Sequence, residues 1–225
     1  TCLMWLAYAM NGVVWNEDGT LNEESVMEAL KYMEILVKEE LVAPEDKTSS
    51  GMDAYKRLTG GSASFLTGPT SFVSRSTNEE ECSVVGQIAP ILMPGKEAKS
   101  EVTMALPEGL GVTKFSENKE AAKKFVEWYT SADMQKELNA SNSAIPTRNS
   151  VLKSLVEDGT IKNAGAMMDE AERIVSPFPN GIPAYYAEMS SAMYNAINKM
   201  ARGEMTAEEA FEDMNAKITE LVEQE

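Results

Sequence analysis

Residues 106–148 carry the most informative pattern in this sequence. They read Leu106-Pro-Glu-Gly-Leu-Gly-Val-Thr-Lys114, Phe115-Ser-Glu-Asn-Lys-Glu-Ala-Ala-Lys-Lys-Phe-Val-Glu-Trp-Tyr129, Thr130-Ser-Ala-Asp-Met-Gln-Lys136 and, further on, Ala144-Ile-Pro-Thr-Arg148. The first part predicts the end of a glycine-interrupted strand over 104–113. The second predicts a helix over 118–130 with apolar residues at helical spacing. Ser131 is a suitable N-cap for a further helix over 132–139.

The same signals continue on both sides of this stretch. Helical spacing and caps predict helices over 3–10, 24–41, 52–58, 150–157, 160–174 and 184–201, and a last one from Thr206 to about Val222. Thr206 and Glu209 form a capping box for this last helix. Short strands are predicted over 13–15, 62–67 and 84–91. Because the strands are short and separated by helices, the pattern favours an α/β fold over an antiparallel sandwich.

Composition excludes several classes of function. The chain has 225 residues, 36 acidic and 20 basic side chains, and a net charge of −16. Nucleic-acid binders need basic stripes that neutralise phosphate, and this sequence has none. No apolar stretch approaches the ~20 residues of a membrane span.

The chain has no histidine and only two cysteines, Cys2 and Cys82. Ser-His and Cys-His nucleophile pairs are therefore impossible, and the usual zinc ligand is missing. The two cysteines are either one disulfide or two thiols. We expect no catalytic residue, no metal site and no cofactor.

The order of these segments resembles the extracellular solute-binding proteins of ABC importers, in the family that holds maltose-binding protein and other sugar binders. The resemblance extends beyond 106–148 to the helix at 24–41, the Gly68-Pro69 turn, the strand and loop at 85–95, and the C-terminal helices after Pro177.

This resemblance implies an α/β, periplasmic-binding-protein-like (type II) lobe, helix-rich with a short-stranded mixed sheet. Residues 1–90 and 147–225 would form the second, C-terminal lobe, and residues 91–146 would cross and pack on the first. The opening strands of the first lobe have no counterpart here, so the chain is expected to be the C-terminal portion of such a protein. Its location would be extracytoplasmic, with a lipid anchor in the full-length protein.

The expected ligand site follows from the same resemblance. Sugar sites combine aromatic faces with polar groups, and the positions that match are Trp5, Tyr8, Thr70, Glu108, Tyr185 and Tyr186. Thr70 follows Gly68-Pro69 where sugar-binding relatives often have an aromatic, and Glu108 stands where many have a tryptophan. The alternatives are a solvated charge at Glu108 and core packing for the aromatic residues. Trp15, Trp128 and Tyr129 are assigned to packing.

The implied function is capture of a small-molecule ligand, a carbohydrate, between two lobes and its delivery to the transmembrane subunits of an ABC permease. No nucleic acid is expected as a partner. The alternatives are a binder of a small cation such as a polyamine, a glycoside-processing enzyme, and a helical interaction domain without a small ligand. Glycosidase chemistry needs two facing carboxylates, and no local pattern in this acidic sequence points to such a pair.

The sequence also predicts how certain helices pack and which apolar residues are left unburied. The helices at 24–41 and 184–201 and the last helix should pack together around the strand at 62–67, because their apolar stripes match. Phe125, Val126 and Tyr129 should be left unburied by this chain, because their face of the helix at 118–130 would meet the first lobe.

Overall fold

The computed structural model describes residues 2–47, 50–105, 109–162 and 164–224. Its elements in chain order are α1 (Cys2–Asn11), α2 (Glu23–Lys38), a 3-10 turn (Pro44–Lys47), α3 (Gly51–Thr59), α4 (Ser71–Arg75), β1 (Thr103–Met104), α5 (Lys119–Tyr129), α6 (Ala132–Asn142), α7 (Asn149–Glu157), α8 (Gly165–Ala171), β2 (Ile174–Val175), α9 (Tyr186–Ala201) and α10 (Ala207–Glu223).

Side-chain caps fix the starts of several helices. Ser131 Oγ accepts the Met134 amide at 3.3 Å at the start of α6. At the start of α10 the Thr206 hydroxyl accepts the Glu209 amide at 3.2 Å, and the Glu209 carboxylate accepts the Thr206 amide at 2.8 Å. Both caps were predicted, because each satisfies amides that have no partner within the helix.

The described residues divide into two compact units. Unit 1 comprises Thr1–Asp53, Leu92–Ala105 and Glu170–Glu225, and unit 2 comprises Ala54–Ile91 and Leu106–Asp169. These bounds differ from the lobes expected from sequence, since residues 54–90 and 147–169 fall in unit 2. The assignment of either unit to a lobe of the family's fold stays a prediction.

Unit 1 is built on a helical core. One stripe of each of α1, α2, α9 and α10 is buried, and the fully buried side chains include Leu3, Leu30, Met214 and Ile218. Helix α10 packs against both α9 and α2. The predicted association of these helices, including the buried Phe211–Ile218 face, is confirmed.

The described sheet is one parallel pair in unit 1. Thr103 of β1 lies opposite Ile174 of β2, and Met104 lies opposite Val175. The observed strand β1 is therefore shorter than the strand predicted over 104–113, and it begins one residue earlier. Residues 106–108 lie outside the described residues, and 109–113 form no strand.

Three other predicted strands are wrong. Residues 62–67 are irregular in the structure and belong to unit 2, so they are not the centre of the helical core. Residues 84–91 begin with a turn in which the Gln87 amide donates to Val84, and residues 13–15 contribute only an isolated bridge from Trp15 to Leu21. A strand needs a neighbour that pairs with its backbone, and local sequence does not supply one.

Two predicted helices extend at least three residues beyond an end of the observed ones. Helix α2 ends at Lys38 because Glu40 takes a left-handed conformation, with φ 54°, and the Leu41 amide turns back to the Leu36 carbonyl. Helix α8 begins only at Gly165, although the prediction placed its start at residue 160.

Unit 2 has its own, smaller core around α7 and α8, with Val151, Leu155 and Met167 among its buried side chains. Arg148, before α7, donates from Nε to the Thr130 carbonyl at 2.8 Å, which holds the end of α5.

Helix α5 of unit 2 has no buried residue. Phe125 and Trp128 are 51% and 55% exposed, and the Phe125 ring stacks on the Tyr129 ring at 5.7 Å. The expectation that Phe125, Val126 and Tyr129 are not buried by this chain is confirmed. The assignment of Trp128 to packing is wrong.

Two phenylalanines test this distribution of burial. Phe211→Ala in α10 should lower the free energy of unfolding by about 3–5 kcal/mol, because it empties a core position. Phe125→Ala should change it by no more than about 0.5 kcal/mol, because the ring is half-exposed. Urea denaturation of both variants provides the measurement. A similar loss in both would contradict the exposed α5 face.

Glu170, at the end of α8, is a partly buried carboxyl beside the sheet. The Thr103 hydroxyl donates to its Oε1 at 3.2 Å. Burial raises the pKa of Glu170 above its ordinary value of 4.5, and the hydrogen bond from Thr103 opposes that rise only in part. The folded chain therefore holds this proton more tightly than the unfolded chain.

Glu170→Gln should consequently stabilise the chain at neutral pH. Between 4.5 and the raised pKa the folded state binds more protons than the unfolded state, so this group's contribution to stability falls as pH rises. The melting temperature of the variant should exceed that of the wild type at pH 7, and the difference should shrink toward pH 4. A difference independent of pH would show that ionisation of Glu170 is not its cause.

Candidate functional site

The candidate site is organised by a proline-rich segment of unit 1, residues 176–183, here called the proline loop. Its sequence, Ser-Pro-Phe-Pro-Asn-Gly-Ile-Pro, cannot form regular structure because proline lacks an amide hydrogen. Its carbonyl groups must find donors elsewhere. The Pro177 carbonyl accepts Trp15 Nε1 at 2.8 Å and the Tyr8 hydroxyl at 3.1 Å.

Next to these hydrogen bonds, three side-chain rings lie in contact and are here called the aromatic cluster: Trp15, Phe178 and Tyr186. The Phe178 centroid lies 5.5 Å from that of Trp15 and 5.8 Å from that of Tyr186, whose plane is edge-on at 87°. Trp15 is 7% exposed, whereas Tyr186 is 46% exposed. Trp15 is thus the support, and Tyr186 offers its ring to the solvent.

Residues next to the aromatic cluster are also held by hydrogen bonds and packing. Asn180 Nδ2 donates to the Glu17 carbonyl at 3.2 Å, which joins the proline loop to the turn after Trp15. Tyr185 precedes α9 and packs partly buried on the unit 1 core, as does Trp5 of α1. Burial raises the pKa of Tyr8, so its hydroxyl remains a hydrogen-bond donor at neutral pH.

Four of the six residues predicted for the site lie in unit 1. Tyr8 is close to the aromatic cluster through Pro177, and Tyr186 belongs to it. Trp5 and Tyr185 pack, partly buried, on the unit 1 core. Thr70 lies in unit 2, where its carbonyl accepts the Val73 amide at 3.0 Å at the start of α4. Glu108 lies outside the described residues.

Phe178 was missed by sequence reasoning. The signal available was an aromatic residue between two prolines, a position whose backbone is restricted before any tertiary contact forms. Trp15 was assigned to packing, and the structure agrees, because its ring is buried and its only polar atom is bonded.

The described residues offer little for other chemistry. They contain no group of three or more potential metal ligands. Cys2 and Cys82 are both free thiols. None of the helices in the described ranges has the length and apolar character that a membrane span requires.

A family model described as bacterial extracellular solute-binding protein matches residues 3–136. The match covers more than half of the chain, and the chain therefore belongs to that family. The family's description places its members outside the cell, which agrees with the expected extracytoplasmic location.

Solved structures give the same fold. The chain is similar to the maltose-bound MalE3 of T. maritima, with a TM-score of 0.81 and 21% identity over 98% of this chain and 57% of that one. It is also similar to the ABC substrate-binding protein of Listeria monocytogenes in complex with cycloalternan, with a TM-score of 0.74 and 19% identity over 96% of this chain and 55% of that one. The sugar-binding protein MalE of Xanthomonas citri is similar as well, with a TM-score of 0.73 and 20% identity over 99% of this chain and 56% of that one.

These comparisons confirm the predicted family and the helix-rich, periplasmic-binding-protein-like fold. The chain spans little more than half the length of each of these proteins. At such identities the likeness concerns the fold alone.

Two buried tyrosines offer a matched test of the bonds beneath the site. Tyr8→Phe removes a hydroxyl that donates to Pro177 and should lower the free energy of unfolding by about 1 kcal/mol. The Tyr55 hydroxyl of unit 2 is buried without a hydrogen-bond partner, and burial together with the Glu81 and Cys82 charges raises its pKa to about 12.

Tyr55→Phe should therefore leave the stability unchanged or raise it, because it removes an unsatisfied polar group. Chemical denaturation of the two variants side by side is the measurement. Equal effects would contradict the assignment of a stabilising bond to Tyr8.

Proposed function

We propose that this protein is the substrate-binding component of an ABC importer, and that it captures a carbohydrate and delivers it to the transmembrane subunits of the permease. The aromatic cluster carries the proposal. A half-exposed tyrosine ring held against Phe178 is the kind of surface on which the apolar face of a sugar ring stacks.

The similar structures support this choice of ligand. The T. maritima protein is bound to maltose, and the L. monocytogenes protein is in complex with cycloalternan. In the proposed mechanism two lobes close about the ligand. The lobe assignment of the two units, the permease contact and a lipid anchor at the membrane surface belong to the same proposal.

From the family resemblance alone, Glu108 and Thr70 are further proposed as polar contacts to the ligand. A carboxylate at Glu108 would accept hydrogen bonds from sugar hydroxyls. Thr70 would contribute a hydroxyl where sugar-binding relatives often have a ring. Glu108→Ala should therefore weaken binding without lowering stability.

A ligand screen tests the class of ligand. Maltose and cycloalternan represent sugars, and spermidine represents a small cation. A ligand that binds only the native state raises the melting temperature. We expect a shift with a sugar that persists in 0.5 M salt. A shift with spermidine alone would indicate the polyamine binder, which the net charge of −16 and the lack of an aromatic residue at Thr70 support.

The binding role also predicts that catalysis is absent. Incubation with maltose and with chromogenic glycosides should release no product above background. Turnover that disappears when one carboxylate is replaced would contradict the proposal and indicate a glycoside-processing enzyme.

Tyr186→Ala tests the site itself. It should weaken binding of the sugar found in the screen by ~1–3 kcal/mol, because a stacking surface is lost. Tyr194→Ala is the matched control, since Tyr194 lies on the same helix and is 67% exposed. Isothermal titration calorimetry of both variants measures the effect. Equal affinities in the two variants would remove Tyr186 from the site.

A further inference from the structure

The Pro177 carbonyl accepts two side-chain donors that lie far away in sequence. Trp15 Nε1 is 162 positions away and the Tyr8 hydroxyl is 169 positions away. A carbonyl oxygen has two lone pairs, so these two donors saturate it. They come from α1 and from the turn that follows it, so two segments hold one point of the proline loop.

We infer that Trp15 and Tyr8 are positioning residues for ligand binding: through the Pro177 carbonyl they fix the proline loop, and so fix Phe178 against the half-exposed ring of Tyr186. This inference rests on the proposed function. For Tyr8, which the sequence predicted as a ligand contact, this inference assigns a positioning role instead, and Trp15 is assigned no contact with the ligand.

The geometry gives three reasons. Phe178 directly follows Pro177, so a shift of the Pro177 carbonyl moves the Phe178 ring. Phe178 also lies between the other two rings, 5.5 Å from Trp15 and 5.8 Å from Tyr186. The Ser176 hydroxyl donates to the Phe178 carbonyl at 2.8 Å, which tightens the same turn.

The physical consequence concerns preorganisation. A platform that is already rigid loses less conformational freedom when a ligand binds, and this improves affinity without any new contact. Inside the loop the Gly181 amide donates to the Phe178 carbonyl at 3.1 Å, but the prolines donate no hydrogen bonds, so the loop depends on side-chain bonds from other elements. The two donors on Pro177 are therefore the groups best placed to supply the rigidity.

Tyr8→Phe keeps the aromatic ring and removes only the hydroxyl donor. Trp15→Phe removes the indole donor together with part of a buried ring, so it changes packing as well. Each single variant leaves one donor on Pro177 and should weaken sugar binding about two- to tenfold. The double variant leaves the carbonyl without a side-chain donor, so its loss should exceed the product of the single losses. Trp128→Phe and Tyr55→Phe are the matched controls and should bind as the wild type does.

Hydrogen exchange supplies a readout that needs no ligand. In the double variant the amides of Phe178, Asn180, Gly181 and Ile182 should exchange faster, while those of α10 should keep their protection. If the two residues acted by packing alone, Tyr8→Phe, which keeps its ring, would match the wild type in binding and in loop exchange, and only variants that alter Trp15 would differ.

The outcomes separate this inference from the proposed function. Weaker binding together with faster loop exchange supports positioning. If the wild type binds a sugar and Tyr186→Ala weakens it, but the double variant binds normally, the positioning role is overturned and the proposed function stands. If the wild type binds no sugar, the proposed function fails and this inference fails with it.

Discussion

The hydrogen bonds on the Pro177 carbonyl are the constraint on which the described site depends. The proline loop carries the ring that joins the other two, yet its prolines cannot donate to any backbone partner. Its polar groups need donors from elsewhere in the fold. Trp15 and Tyr8 provide them at 2.8 and 3.1 Å. The aromatic cluster is held in place because Trp15 contributes a hydrogen-bond donor as well as a ring, and Tyr8 contributes a second donor.

Those donors are in place only because the helices of unit 1 pack. Tyr8 lies on α1 and Tyr186 opens α9, and both helices contribute to one buried core with α2 and α10. The core is rich in unbranched side chains, with Met189, Met193 and Met200 along the buried stripe of α9. Methionine fills irregular gaps well. Ion pairs such as Lys31–Glu208 and Lys199–Asp213 are well exposed and add little to stability.

Sequence predicted the parts of the fold that local interactions determine. The caps at Ser131 and Thr206 were found because each bonds to an amide three residues away. The strands at 62–67 and 84–91 were predicted wrongly because alternation describes what a strand needs and says nothing of whether a partner lies beside it. In the structure Phe65 is 86% exposed and Ile91 is 72% exposed, so these segments have no covering layer within the described chain.

At the candidate site too, sequence could not show which residues meet across the fold. Its aromatic residues were visible in the sequence, but their roles were not. Tyr8 and Tyr186 are alike as residues, yet one is 4% exposed with a bonded hydroxyl and the other is 46% exposed. Phe178 was missed because its two ring partners lie in other parts of the chain. Solvent exposure separates a supporting ring from one that can stack on a ligand, and exposure is decided by contacts between residues far apart in sequence.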